Sequence, residues 1–473
     1  KQARESVAYI QWPCIVESLL SECPSENEAV KIDPSEPSRA RPKIVVAVSF
    51  PVFPPKGGGQ NRIFHLYRQL ARQADVVLVT LCDYPGEGKS VSFNREIAPG
   101  LREHRIAKSA GHQHTEIELA KALGASVGDL VAMRHIETSH RYLETLRDET
   151  ESADIVIASH HYLYPAIRHV YRGPVVYESH NVEADMKCAV LGKPPAHRLE
   201  PEPIYKEAQK EVELSSAEDW LIYNQRIEQS CVEDAVLVSA CSDEDGRRLQ
   251  ALYDLPSEKL VILPNGVEMG CVVYSSAEER LRYQQRQGLS NTKIAVFMGS
   301  WHGPNLEAAQ AVMNLAKRMD GEVRRTQWQF WIMGSVCHYW EECLKDGRLS
   351  GLPDNLRLLG MLSETEKAVV LATASLALNP MISGSGSNLK MMEYAAAGIP
   401  VLTTPFGKRG LAYRDEIEVL ERELPEFEAS LRAFSEESKD GLMPAAKTLT
   451  EQYYRWDIIA QRYIKQLLVL LPS

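Results

Sequence analysis

No run of about eighteen apolar residues occurs in the 473-residue chain, so no segment reads as a membrane-spanning helix. Positive charge is in deficit. Lys and Arg number 53 against 64 Asp and Glu, a net charge of -11, which argues against nucleic acid as the main partner. The nine cysteines are scattered and odd in number, and Cys337 and Cys343 stand six apart with no second pair beside them. Reduced thiols in a cytoplasmic protein are the simplest reading. HExxH and carboxylate clusters are absent, so no catalytic metal is expected. GxSxG is absent, which disfavours a hydrolase nucleophile elbow, and so is the GxxxxGK[ST] phosphate loop. The first thirty residues carry Glu5, Glu17 and Glu22 and lack a signal peptide's layout. The expected location is cytoplasmic. Peripheral contact with the inner face of a membrane stays open, although no strongly basic amphipathic helix demands it.

What the chain does contain is enough apolar residue, 44%, to bury two or three domains' worth of core. Residues 1–42 read as an extension that ends in a Ser-, Pro- and Glu-rich linker. From Lys43 the pattern is βαβ: the unbroken run Ile44 to Val48, a Pro- and Gly-rich loop, a helix from about Gln60, then the strand Asp75 to Thr80. Strands follow at 155–158, 175–177 and 235–240, and the turn Pro264-Asn265-Gly266 closes this half. The pattern then restarts, with strands predicted at 294–298, 328–333, 356–360, 374–378 and 401–403 and one helix over 446–470. Two successive doubly wound α/β domains are predicted, with ligands at the carboxyl ends of their strands.

The richest segment is Asn379 to Gly398. A buried strand runs into the loop Pro380-Met381-Ile382-Ser383-Gly384-Ser385-Gly386-Ser387, then into a helix from Asn388 stopped by Gly398 and Pro400. The first amides of a helix lack internal partners and its dipole favours negative charge there, so this is an anion cradle. Lys390 in the first turn opposes the dipole, which a bound phosphate would explain. Glu393, one turn on, is placed to accept from sugar hydroxyls. Lys408 and Arg409, after the next strand, add local basicity. Gly57-Gly58-Gly59 would let a phosphate or sugar approach closely, with Arg62 facing the same anion; a plain turn with a solvated arginine fits these residues as well. His160, His161 and His180 all end strands, and His180 is the best placed to hydrogen-bond a sugar hydroxyl or a developing charge.

These stretches resemble family 4 glycosyltransferases, retaining enzymes of the GT-B fold. The resemblance is carried by Pro-Lys-Gly-Gly-Gly at 55–59, Tyr177-Glu178-Ser179-His180-Asn181, Val-Ser-Ala-Cys-Ser-Asp at 238–243, Pro264-Asn265-Gly266-Val267, the run Val296 to Asn305, and above all Gly384 to Gly398. It implies two Rossmann-like domains facing a central cleft. The N-terminal acceptor domain is 43–267, the donor domain 268–445, and 446–473 is a helix crossing back onto the first. It also implies a nucleotide diphosphate sugar as co-substrate, with no cofactor. Glu393 would bind the ribose. The amides of Gly384, Ser385, Gly386, Ser387 and Asn388, with Lys390, would hold the diphosphate. Gly58 and Gly59 would approach the donor or acceptor, and His180, Lys390 and Glu393 form the catalytic set. Two positions depart from the family. Ser385 stands where a glutamate usually touches the donor sugar. Ser300, His302 and Asn305 stand where an Arg and Lys pair is usual, which shifts phosphate neutralisation to Lys390, Lys408 or Arg409. A sugar-nucleotide epimerase and a partner-binding pseudoenzyme on the same fold are the alternatives. Acceptor, sugar, base and oligomeric state are not encoded legibly.

Overall fold

The computed structural model describes residues 41–84, 92–200, 214–286, 288–289, 292–320, 327–384, 386–434 and 441–471. The expected extension 1–42 lies, but for its last two residues, outside them. The described residues divide into two compact units: Gly266–Arg455, and 41–265 together with 456–471.

The unit that ends at Asn265 contains β1 (Lys43–Val48), α1 (Gly58–Leu70), β2 (Asp75–Cys82), β3 (Phe93–Ala98), β4 (Leu101–Ala107), β5 (Ile155–Ser159), β6 (Val175–Glu178), α2 (Glu183–Val190), α3 (Ala217–Asp234), β7 (Leu237–Ala240) and β8 (Leu260–Ile262). Its eight-stranded sheet has the order β3-β4-β2-β1-β5-β6-β7-β8, parallel except for β3 against β4. The apolar run of β1 is buried on both sides. Val45 and Ala47 enter the core on one face, Ile44, Val46 and Val48 the core on the other. The β3–β4 hairpin was not predicted. Its sequence, Leu101-Arg-Glu-His-Arg-Ile, is too charged to show a strand's period.

Gly266–Arg455 contains β9 (Thr292–Met298), α4 (Gly303–Met319), β10 (Gln327–Met333), β11 (Leu356–Gly360), α5 (Glu364–Thr373), β12 (Leu376–Asn379), α6 (Leu389–Ala396), β13 (Val401–Thr403), β14 (Leu420–Glu421) and α7 (Leu442–Tyr453). Its all-parallel sheet has the order β11-β10-β9-β12-β13-β14. Counted along the chain this is 3-2-1-4-5-6, a doubly wound dinucleotide-type sheet whose direction of winding reverses between β9 and β12.

The single helix expected over 446–470 is two. α7 packs on α6 and stops at Tyr454, whose carbonyl accepts from Val267 N at 2.7 Å, while Arg455 bridges to Val267. The backbone there pairs with another segment and cannot also continue a helical ladder. α8 (Trp456–Val469) then lies on α1, with Trp456, Ile459, Tyr463, Ile464 and Leu467 entering the core beneath β1.

Candidate functional site

In the unit Gly266–Arg455, β9 and β12 flank the reversal point, and the segments leaving their carboxyl ends meet. β9 passes through Gly299 and Ser300 into α4. β12 passes through Pro380 to Ser387 into α6. Gly384 (φ 119) and Gly386 (φ 63) adopt left-handed backbone that side chains disfavour. A Cβ on Gly384 would sit 3.3 Å from the Pro304 ring, and Ser383 Oγ donates to Glu307. The amino ends of α4 and α6 therefore approach the same glycine loop. Ser385 lies outside the described residues, while Gly386 and Ser387 are half-buried. Asn388 precedes α6 but does not cap it; its Nδ2 donates instead to Gly407 O at 2.7 Å.

Lys390 is not solvated, as a first-turn lysine usually is. It is 8% exposed, with Nζ 4.4 Å from the Phe297 ring centre and 3.8 Å from Met381 Sδ, and it donates to Asn305 Oδ1 at 2.7 Å. Burial lowers its pKa to about 7. Asn305 in turn donates to Ser300 O (3.2 Å) and Ser300 Oγ (3.1 Å), which gives the predicted Ser300 a supporting place. Glu393 is half-buried and paired with Lys367 of α5 at 2.5 Å. Burial opposes the charge on Lys367, but Glu393 and Glu364 more than offset this and raise its pKa. Nothing in the sequence could have joined Lys367 to Glu393, since they belong to different elements.

Lys408 does not offer a cation to the loop: it is held by Glu421 (2.8 Å) and the Tyr413 carbonyl (3.0 Å). Arg409 stacks its guanidinium 4.1 Å from the Phe406 ring centre. The local basicity read from Lys408-Arg409 is thus largely spent on neighbours.

In the other unit the order reverses between β1 and β5, and there Gly59, next to Gly58 at the start of α1, approaches His180. A Cβ on Gly59 would lie 3.3 Å from the Phe50 ring, a tight contact, and 3.9 Å from His180 Nδ1. The loop before the glycines is held by a residue not singled out from sequence. Buried Glu103 of β4 accepts from Val52 N (3.1 Å), Phe53 N (3.0 Å) and Thr80 Oγ1 (2.8 Å). Gln60 adds a second tie, donating to Pro51 O and accepting from Gly57 N.

His180 is buried, with Nε2 3.1 Å from Ser159 Oγ. Desolvation, then repulsion from His160, lowers its pKa to about 3, so the ring is neutral at physiological pH. His160 sits 4.0 Å from it, centre to centre, on a backbone at φ 64, ψ 157 that is normally left to glycine. Such a conformation costs on the order of 1–3 kcal/mol and tends to occur at functional sites. His161 faces away and pairs with Asn224 of α3 at 3.0 Å. Arg62 corrects its prediction. It is 1% exposed and contacts Glu178 Oε1 (3.0 Å), Leu263 O (3.0 Å), Pro264 O (3.2 Å) and Asn265 Oδ1 (3.1 Å), so it is an internal tie and not an anion ligand.

A family profile described as glycosyl transferases group 1 matches residues 292–431, and one described as glycosyl transferase 4-like domain matches 57–266. Among solved structures, sucrose-phosphate synthase (tll1590) from Thermosynechococcus elongatus is 14% identical, with a TM-score of 0.64 over 90% of this chain and 99% of that one. Anabaena Alr3699/HepE in complex with UDP-glucose is 13% identical, TM-score 0.58, over 90% and 99%. A glycosyltransferase from Rickettsia africae ESF-5 is 10% identical, TM-score 0.57, over 91% and 99%. A search of curated protein sequences finds no match. The fold is GT-B and the chain is a glycosyltransferase. Its two matched regions place it in family 4.

Proposed function

We propose that the enzyme moves a sugar from a nucleotide diphosphate sugar to an acceptor hydroxyl, with retention of anomeric configuration and without a metal. The observation that carries this is Lys390: a buried ammonium beside a glycine loop and two helix starts, with an amide oxygen and a thioether as its polar contacts and no carboxylate paired to it among the described residues. A diphosphate supplies the missing charge.

As the nucleotide diphosphate leaves, negative charge grows on its β-phosphate while the sugar becomes oxocarbenium-like. Lys390 and the first amides of α6 meet that charge. Preorganised donors of this kind contribute about 3–4 kcal/mol each to the transition state. Glu393, held by Lys367, accepts from the ribose hydroxyls. Neutral His180 offers Nδ1 beside Gly59 to a sugar hydroxyl. The acceptor is a hydroxyl of a glycan, a lipid-linked sugar or a small molecule. The Anabaena protein's complex makes UDP-glucose the first donor to try.

A thermal-shift panel of nucleotide sugars tests this. A donor at a hundred times its Kd stabilises the folded state by about 2.7 kcal/mol, so the correct base and sugar stand out. Lys390→Met is expected to lose that shift and to lower kcat/KM at least about a hundredfold. Turnover is expected to survive EDTA. A panel with no diphosphate-dependent shift, or an unaffected Lys390→Met, overturns the proposal.

A further inference from the structure

Lys390 is placed by a residue on another element. Asn305, in the first turn of α4, uses both ends of its amide: Nδ2 donates to Ser300 O and Ser300 Oγ, and Oδ1 accepts from Lys390 Nζ. The two donations fix which end faces the lysine, because an amide turned round would set NH2 against NH3+. The ammonium also lies 4.4 Å from the centre of the Phe297 ring. Among the described residues no carboxylate pairs with it. Glu393 on α6 is paired with Lys367 of α5, and Glu307 on α4 accepts from Ser383 Oγ. His302, before α4, has its pKa lowered by partial desolvation and then by Lys390 itself. The partner at 2.7 Å is therefore neutral: it orients the ammonium without cancelling its charge.

We propose that Asn305 is a positioning residue for the transfer reaction, whose amide oxygen holds the Lys390 ammonium charged and uncompensated beside the glycine loop, ready for a diphosphate. The proposal rests on the donor reading above. It also accounts for the missing basic pair after β9: this segment contributes an acceptor that secures a cation on α6 in place of a cation of its own.

The consequence is a pH signature. Diphosphate binds the protonated lysine, so the Lys390 contribution to affinity is present below the lysine's pKa in the free protein and fades as pH rises through it. Burial sets that pKa near 7, and Asn305 opposes the burial by stabilising the charged form. Asn305→Ala removes this support and moves the fade about one pH unit lower. Asn305→Asp moves it higher, but lowers the plateau because the new carboxylate competes with the anion.

Titration calorimetry of the full chain with inorganic pyrophosphate, from about pH 6 to about pH 9, tests this on wild type, Asn305→Ala, Asn305→Asp and Lys390→Met. Lys390→Met supplies the baseline for the titration of pyrophosphate itself. Wild type is expected to bind about tenfold or more tighter than Lys390→Met at the acidic end and to converge on it at the basic end. The Asn305 variants should converge at displaced pH, in opposite directions. A midpoint unmoved in both overturns the role of Asn305. Should Asn305→Ala fail to fold, the direction of the Asn305→Asp shift decides alone. If Lys390→Met binds pyrophosphate as wild type does at all pH, the donor reading itself fails.

Discussion

Arg62 shows how a single residue can be read correctly for place and wrongly for partner. Its position near the glycines was legible; its burial was not, because Glu178 on β6 and the carbonyls at 263–264, after β8, lie far along the chain. Burial alone would raise the Glu178 pKa, and Arg62 reverses this and holds it well below the usual value. Tyr67 OH also donates to that carboxylate at 2.6 Å. Arg62→Met leaves a buried carboxylate without its cation and is expected to cost about 3–5 kcal/mol in urea unfolding at neutral pH. Glu178 carries a depressed folded pKa, so the stability it contributes is present above its unfolded value and lost as pH falls through the folded one. In the variant burial is unopposed by the guanidinium and raises the Glu178 pKa, so its carboxyl is protonated above the ordinary carboxylate value; the gap between variant and wild type should narrow as pH falls from neutral and narrow further as the wild-type carboxylate is protonated.

Among the elements, the strand-to-helix loops carry the proposed donor site, and glycine sets how closely they pack. Gly334, at φ 101 after β10, lies so close to the loop after β9 that a Cβ would stand 2.2 Å from Gly299 O. Ser335 Oγ then accepts from Trp301 N at 2.8 Å, tying the two loops beside Ser300. Gly334→Ala is expected to lose stability through both the strained backbone, on the order of 1–3 kcal/mol, and the overlap, and to weaken donor binding with it. Gly347→Ala is the control: φ is 79 but nothing lies within 4 Å, so it should cost only about 1–2 kcal/mol and leave binding unchanged. Paired urea melts and thermal-shift titrations read both quantities.

At the scale of the whole molecule, the chain's last described helix completes the core of the unit that begins the fold. Trp456, Ile459, Tyr463, Ile464 and Leu467 of α8 are all buried there, beside Ile44, Val46 and Tyr67. Each large apolar side chain so buried contributes about 1.5–3 kcal/mol, and together they rival the typical net stability of about 5–15 kcal/mol. A chain stopped after Arg455 is expected to lose the cooperative transition of the eight-stranded unit in calorimetry. A truncated chain with two unchanged transitions would refute this.

Taken alone, the sequence determined what depends on neighbours in the chain. Unbroken apolar runs set the parallel strands, Pro and Gly ended the helices, and the order of strand, small-residue loop and helix marked where an anion could sit. It also named Gly59 and His180 separately, each from its own strand end. The tertiary structure alone decided which charges are left over. Lys408 meets Glu421, Arg62 meets Glu178, Lys367 meets Glu393, and Lys390 meets an amide oxygen. Pairing depends on distances between segments remote in sequence and on burial that strengthens every charge interaction, and neither is written in local pattern.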